Sequence, residues 1–274
     1  MPELPEAETI VRDLRARLPG RRVSDVEVVR PDILAPDLTP QVLAAALRGR
    51  AFDEIGRRGK NVVLRFDGDV RVVVNLGMTG RLVMASSPRA AELSHVAARF
   101  RLEDGDALLF DDTRRFGRFD LYDAAGWAAR SAELGAEPLS DEFTAGALYD
   151  LTRTSRTPIR NWLLDQRRVA GVGNIYANEA LFRARIDPKR PARSLTRAES
   201  RRLRDALREV LAQAIERRGT TLSDYRDGTG AEGLFAHQLQ VYGRAGEPCV
   251  RCGRPVERRV LSNRSYFFCP KCQR

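Results

Sequence analysis

Four cysteines crowd into the last 26 residues of this 274-residue chain: Cys249, Cys252, Cys269 and Cys272. They form two C-x2-C knuckles separated by sixteen residues. Two knuckles at that separation can close one tetrahedral thiolate site, in which a metal holds together a segment too short for its own core. One structural zinc ion is the expected occupant, with all four positions taken by sulfur. Two disulfides would need an oxidising compartment, and the acidic, proline-broken start Met1-Pro2-Glu3-Leu4-Pro5-Glu6 carries no secretory signal. An iron–sulfur cluster is the remaining use of the same spacing. Between the knuckles, Arg258–Phe268 reads as a β-hairpin, two extended runs around Ser262-Asn263, with Arg264 at its tip.

The chain carries 47 basic and 37 acidic residues, a formal charge of +10. Residues 244–274 hold +6 of that excess. Such a balance calls for an anionic partner, and nucleic acid is the default. Only Lys60, Lys189 and Lys271 are lysines; the other basic residues are arginines. Arginine stays charged in a protein, whereas lysine can lose its proton and act as base or nucleophile. A lysine kept in an arginine-saturated chain therefore draws notice. No apolar run approaches the ~18–20 residues of a membrane span. A cytoplasmic protein with no membrane partner is expected.

Apolar spacing at Ile10, Val11, Leu14 and Leu18 predicts a helix over 6–18, stopped by Pro19-Gly20. Strand-like runs follow at 23–29, 62–66, 70–76, 98–102 and 107–110, with a short helix from Thr39-Pro40 to Gly49. Short strands with turn signals imply a β-sandwich or barrel over 2–130. Residues 131–140 read as a linker, and from Asp141 the pattern is helical. Thr196 and Glu199 form a capping box before an apolar stripe from Leu203 to Ile215, which Gly219 ends. Residues 220–235 lack periodicity and read as a functional loop. A helical domain over 141–235 and a metal hairpin over 236–274 complete an α+β, multidomain chain.

Removal of Met1 would leave Pro2 as a free secondary amine. An α-amine has a pKa near ~8, so part of it is nucleophilic at neutral pH. Glu3 follows at once, a carboxyl able to protonate a leaving oxygen.

Pro2–Thr9 is similar to the opening of the bacterial formamidopyrimidine-DNA glycosylase family. Further matches follow in order: Arg57-Arg58-Gly59-Lys60, Leu76-Gly77-Met78-Thr79-Gly80, Arg114-Arg115-Phe116-Gly117, Val172–Ala177, Gln240-Val241-Tyr242-Gly243 and the cysteine hairpin. The resemblance spans the chain. It implies an N-terminal β-sandwich with flanking helices, then a helix-two-turns-helix domain with a zinc hairpin. It implies a monomeric bacterial enzyme that excises oxidised purines from duplex DNA and nicks the abasic strand. Pro2 is then the Schiff-base nucleophile, Glu3 the proton donor, and Lys60 and Arg264 the residues of strand cleavage. Met78, Arg114 and Phe116 fill the hole left by a flipped base. Arg160, Asn174 and His95 contact DNA, although Leu93-Ser94-His95 stands where members often carry His-x-His. Thr221 and Tyr225 belong to the loop that closes over the lesion.

Two other readings share these residues. A sister, endonuclease VIII-like enzyme would use the same Pro2-Glu3 chemistry on oxidised pyrimidines. A zinc-ribbon protein that recognises damage without cutting would need no free Pro2 amine.

Overall fold

A computed structural model describes every residue except Met1, Arg89, Ser223 and Asp224. The chain divides into two compact units, residues 1–133 with 215–236 and residues 134–214 with 237–274.

The first unit is built on two four-stranded antiparallel sheets. One runs β1 (Val23–Val28), β6 (Val96–Leu102), β7 (Ala107–Asp111), β5 (Arg81–Met84). The other runs β2 (Phe52–Arg58), β3 (Asn61–Phe66), β4 (Arg71–Asn75), β8 (Arg118–Tyr122). Alternate residues of each strand enter one core: Val62, Leu64 and Phe66; Val72 and Val74; Ala98, Phe100 and Leu102; Leu108 and Phe110. That period of two is what a half-buried strand requires. Helix α1 (Leu4–Arg15) adds Ile10, Val11 and Leu14 to the same core and packs on β2 and β3. It starts two residues earlier than the spacing predicts, because Glu3 caps its first turn, and it stops three earlier, with Leu18 beyond its end still in the core. Helix α2 (Pro40–Leu47) is capped by the Thr39 hydroxyl, and α3 (Ala124–Ala132) by Asp123.

The second unit holds α4 (Ala145–Thr152), α5 (Ile159–Leu164), α6 (Asn174–Ala184), most of α7 (Arg197–Glu216), and the hairpin of β9 (Glu257–Leu261) and β10 (Arg264–Phe268). The capping box of α7 forms as expected, with Glu199 N–H on Thr196 Oγ1 and Thr196 N–H on Glu199 Oε2. Helix α6 is buried along nearly its whole length and packs on α5 and β10. Among the described residues, no helix is long and apolar enough to cross a membrane.

Candidate functional site

In the first unit Pro2 is buried and Glu3 is only 2% exposed. Glu3 is the N-cap of α1 and forms a capping box with Glu6, its N–H donating to Glu6 Oε2 at 2.8 Å. The other Glu6 oxygen accepts the Thr220 N–H at 2.8 Å. One buried carboxylate thus joins the backbone beside Pro2 to the start of the 220–235 segment. Gly219 permits this approach. Its φ is +84°, and a Cβ there would lie 2.9 Å from Glu6 Oε1.

Lys60 sits in the two-residue turn between β2 and β3, beside Gly59 at φ +60°. Arg57 ties that turn to α1, donating to Glu8 Oε2 (3.1 Å) and to Gly59 O (2.8 Å). A second chain of bonds leaves the turn in the other direction. Asn75 Nδ2 donates to Asn61 Oδ1 (2.9 Å), and Asn75 Oδ1 accepts from Gly77 N–H (3.0 Å).

Gly77 begins the turn that carries Met78, which is half-buried. A Cβ at Gly77 would come within 2.3 Å of the Phe116 carbonyl carbon. The two loops therefore touch backbone to backbone. The Thr79 hydroxyl donates to Asp112 Oδ1 and accepts the Arg114 N–H, and Asp112 Oδ2 accepts the Gly117 N–H. Phe116 is 57% exposed, with the Arg114 guanidinium 5.0 Å above its ring. Met78, Arg114 and Phe116 are thus gathered on adjoining loops, and an apolar ring is held out to solvent beside a cation. His95 lies at the entry to β6 with its backbone held by Asp111, its N–H donating to Oδ1 at 2.7 Å. Its exposed ring meets the Ser94 hydroxyl at 2.9 Å.

The described residues of 220–235 make specific contacts with the rest of the first unit and with one another. Tyr225 joins the core of the first unit, its hydroxyl 3.5 Å from Glu6 O. Burial, with the Glu6 charge nearby, pushes its pKa well above the usual 10. Thr221 Oγ1 donates to Tyr225 O (2.9 Å) and accepts the Gly233 N–H (2.8 Å). Asp227 is fully buried and caps the turn through Thr229 and Ala231. Arg218 bridges Asp227 and Asp13 of α1.

In the second unit, Gly173 is the N-cap of α6 and Asn174 its first residue, where a helix N-terminus favours an anion. Asn174 Nδ2 donates to Ser265 O (3.0 Å), and its Oδ1 accepts from Arg160 at 2.6 Å. Arg160 is completely buried, and its guanidinium also donates to Leu261 O and Ser265 O. Arg264 is exposed at the start of β10, directly after a turn in which Ser262 (φ +49°) and Asn263 (φ +59°) are both left-handed. That backbone matches the twist of a tight hairpin. Buried Glu179 on α6 accepts the N–H groups of Gln240, Val241 and Tyr242 at 2.9–3.1 Å. Burial pushes its carboxyl above the usual 4.5, against the pull of those amides.

The four cysteine sulfurs lie within 4.8 Å of one another. Cys249 and Cys272 are 3.9 Å apart and Cys252 and Cys269 3.5 Å, far beyond a disulfide bond. A tetrahedron with Zn–S of ~2.3 Å has sulfurs ~3.8 Å apart, so the donor set fits zinc. The Arg254 N–H draws Cys252 down to about 7, while burial among the other sulfurs pushes Cys272 up to about 12. Four thiolates this close repel one another, and a divalent cation removes the repulsion.

Three family models match successive parts of the chain: the formamidopyrimidine-DNA glycosylase N-terminal domain over 1–119, the H2TH domain of the same enzyme over 134–226, and a zinc finger found in FPG and IleRS over 246–274. The chain belongs to the formamidopyrimidine-DNA glycosylase family. The enzyme of Chloroflexus aurantiacus is 44% identical across the whole chain and 98% of its own length. That of Symbiobacterium thermophilum is 48% identical, covering the whole chain and 89% of its own. The crystal structure of MutM (Fpg) from Thermus thermophilus superposes with a TM-score of 0.87 at 45% identity, over 99% of this chain and 98% of that one. A Lactococcus lactis Fpg mutant in complex with Fapy-dG-containing DNA gives 0.90 at 31% identity, with 99% of both chains covered.

Several residues of this glycosylase fold escaped the sequence reading. Glu6, Asn75, Thr79 and Asp112 hold the loops of the candidate site, yet for Glu6, Asn75 and Asp112 nothing in the local pattern announces it. Asn161 and Asn178 do the same for the hairpin, Asn161 through Ser262 Oγ (2.9 Å) and Asn178 through the Phe267 N–H (2.7 Å). Thr79 alone had a signal, since it lies inside the glycine-flanked turn of Met78.

Proposed function

We propose that this chain is a bifunctional DNA glycosylase and abasic-site lyase of base excision repair. Its substrates are oxidised purines in duplex DNA, 8-oxoguanine opposite cytosine and formamidopyrimidines, and it works as a monomer. The observation that carries this reading is the Pro2-Glu3 pair at the buried head of α1, with the Lys60 turn tied to the same helix through Arg57. The whole-chain match to named formamidopyrimidine-DNA glycosylases supports it. So do the Lactococcus lactis Fpg structures with Fapy-dG and abasic-site DNA.

In this reading the Pro2 amine, free once Met1 is removed, attacks the sugar C1′ and the base leaves with the bond electrons. Glu3 protonates the ring oxygen, and the ring opens to an iminium. The iminium acidifies the C2′ proton, whose loss expels the 3′-phosphate. A second elimination expels the 5′-phosphate and leaves a one-nucleoside gap. A hydroxyl nucleophile would form no iminium and would stop at base removal. Lys60 assists elimination and contacts phosphate. Arg264 grips phosphate and favours the second elimination electrostatically, because arginine is a poor proton donor. Flipping the base costs a few kcal/mol. Met78 plugs the gap, Arg114 meets the orphaned cytosine, and Phe116 wedges the neighbouring step. Asn174 and exposed His95 contact the backbone, and Thr221 and Tyr225 set the base of the lesion loop. Zinc, when bound, holds the hairpin and takes no part in bond making.

Borohydride trapping on a duplex with one 8-oxoguanine opposite cytosine, followed by peptide mapping, tests this directly. A covalent adduct on Pro2 is expected. Binding without an adduct overturns the lyase reading. Lactococcus lactis Fpg has also been crystallised with oxidised-pyrimidine DNA. Release of thymine glycol much faster than 8-oxoguanine would therefore reassign the substrate.

A further inference from the structure

The guanidinium of Arg160 ends on the two main-chain carbonyls that bracket the hairpin tip. Nη1 donates to Leu261 O at 3.1 Å and Nη2 to Ser265 O at 3.2 Å. Between those carbonyls lie Ser262, Asn263 and Arg264. The two residues that accompany it reach the same tip: Asn161 bonds the Ser262 hydroxyl and Asn174 the Ser265 carbonyl. Arg160 has no exposed surface, so a phosphate cannot meet its guanidinium as the unit stands. Arg264, by contrast, is exposed. Burial lowers the Arg160 pKa, and so does the positive charge of Arg264 close by. Only a planar fork of N–H donors can serve two carbonyls and the Asn174 amide oxygen at once; an ammonium on a flexible stem cannot.

We propose that Arg160 is a positioning residue. It clamps the turn so that Arg264 is presented to a DNA phosphate, and it makes no DNA contact of its own. The inference rests on the reading of Arg264 as the phosphate-gripping residue. It replaces the expectation that Arg160 binds DNA directly.

The test compares Arg160→Met, Arg160→Lys, Asn161→Ala and Arg264→Ala as full-length, zinc-loaded protein, with zinc content and Tm as folding controls. Deuterium uptake over 257–268 should rise about tenfold in Arg160→Met, rise less in Arg160→Lys and Asn161→Ala, and stay unchanged in Arg264→Ala. On a preformed abasic duplex, Arg160→Met should shift products from double toward single elimination. It should also lower the salt slope of binding by about one, as Arg264→Ala does. The double variant Arg160→Met with Arg264→Ala should lose nothing beyond Arg264→Ala alone. Unchanged uptake overturns the clamp, and an additive loss in the double variant means that Arg160 binds phosphate itself. If Arg264→Ala alone leaves products and slope untouched, the Arg264 reading fails while the uptake still reports on the clamp. Should Arg160→Met fail to fold, the uptake of Arg160→Lys and Asn161→Ala decides.

Discussion

The Thr79 hydroxyl donates to the Asp112 carboxylate, and through that bond the loop of Met78 and the loop of Arg114 and Phe116 become one object. Asp112 has no exposed surface, so the pair works without competition from water. Thr79→Val keeps the shape and removes the hydroxyl, which strands a buried carboxylate oxygen and the Arg114 N–H. A loss of about 1–3 kcal/mol is expected, measured by denaturant unfolding. Single-turnover release of 8-oxoguanine should slow about tenfold, while cleavage of a preformed abasic site is spared. Excision at the wild-type rate would show that the three side chains need no common anchor.

Glu3 and Glu6 separate chemistry from architecture. Glu3→Gln keeps the volume and an acceptor oxygen but cannot give up a proton as an acid. Base release should fall by about 10²-fold or more with little change in Tm. Glu6→Gln has one acceptor oxygen for two donors, Glu3 N–H and Thr220 N–H, and should cost about 1–3 kcal/mol. Stopped-flow kinetics and thermal melts on both variants decide. The opposite pattern would make Glu3 a helix cap and nothing more.

Zinc removal acts on one unit. A chelator should unfold the hairpin and abolish DNA binding, while the β-sandwich of the first unit keeps its strand signal in circular dichroism. DNA affinity should also fall steeply with salt before chelation. Loss of all structure on chelation, or affinity that ignores salt, would count against this account.

Glu199 gives a pH signature. Its bonds from Arg190, 2.6 and 3.1 Å, draw its pKa from 4.5 down to about 2. In that interval the unfolded chain binds the proton and the folded chain does not, so stability rises with pH across it. The Tm advantage over Glu199→Gln should be full above about pH 5, shrink below 4.5 and vanish near pH 2. An advantage that persists unchanged at pH 2 would assign it to packing.

What the sequence disclosed depended on whether the information was local. The cysteine knuckles, the hairpin around Ser262-Asn263 and the α7 capping box are complete within a few residues, and each was readable. Strand β5 is only four residues long, and β2 carries Asp53, Glu54, Gly56, Arg57 and Arg58, which mask its pattern. Strand β8 pairs with β4 but follows an irregular loop that blurs its start. The bond from Thr220 to Glu6 could not be read, because the two are 214 residues apart. Arg160 was expected to contact DNA through the family resemblance, and its burial, which no local pattern announces, could not be read from the sequence.

Glu179 holds three consecutive backbone amides, those of residues 240–242, and asks nothing of their side chains. Every amino acid but proline supplies that N–H. The contact is therefore encoded entirely at position 179. A comparison of sequences that looks for paired changes between α6 and this segment will find none attributable to it, however tightly the two are joined. Inheritance of the joint rests on a single codon, and drift at 240–242 is limited only by what those side chains do elsewhere.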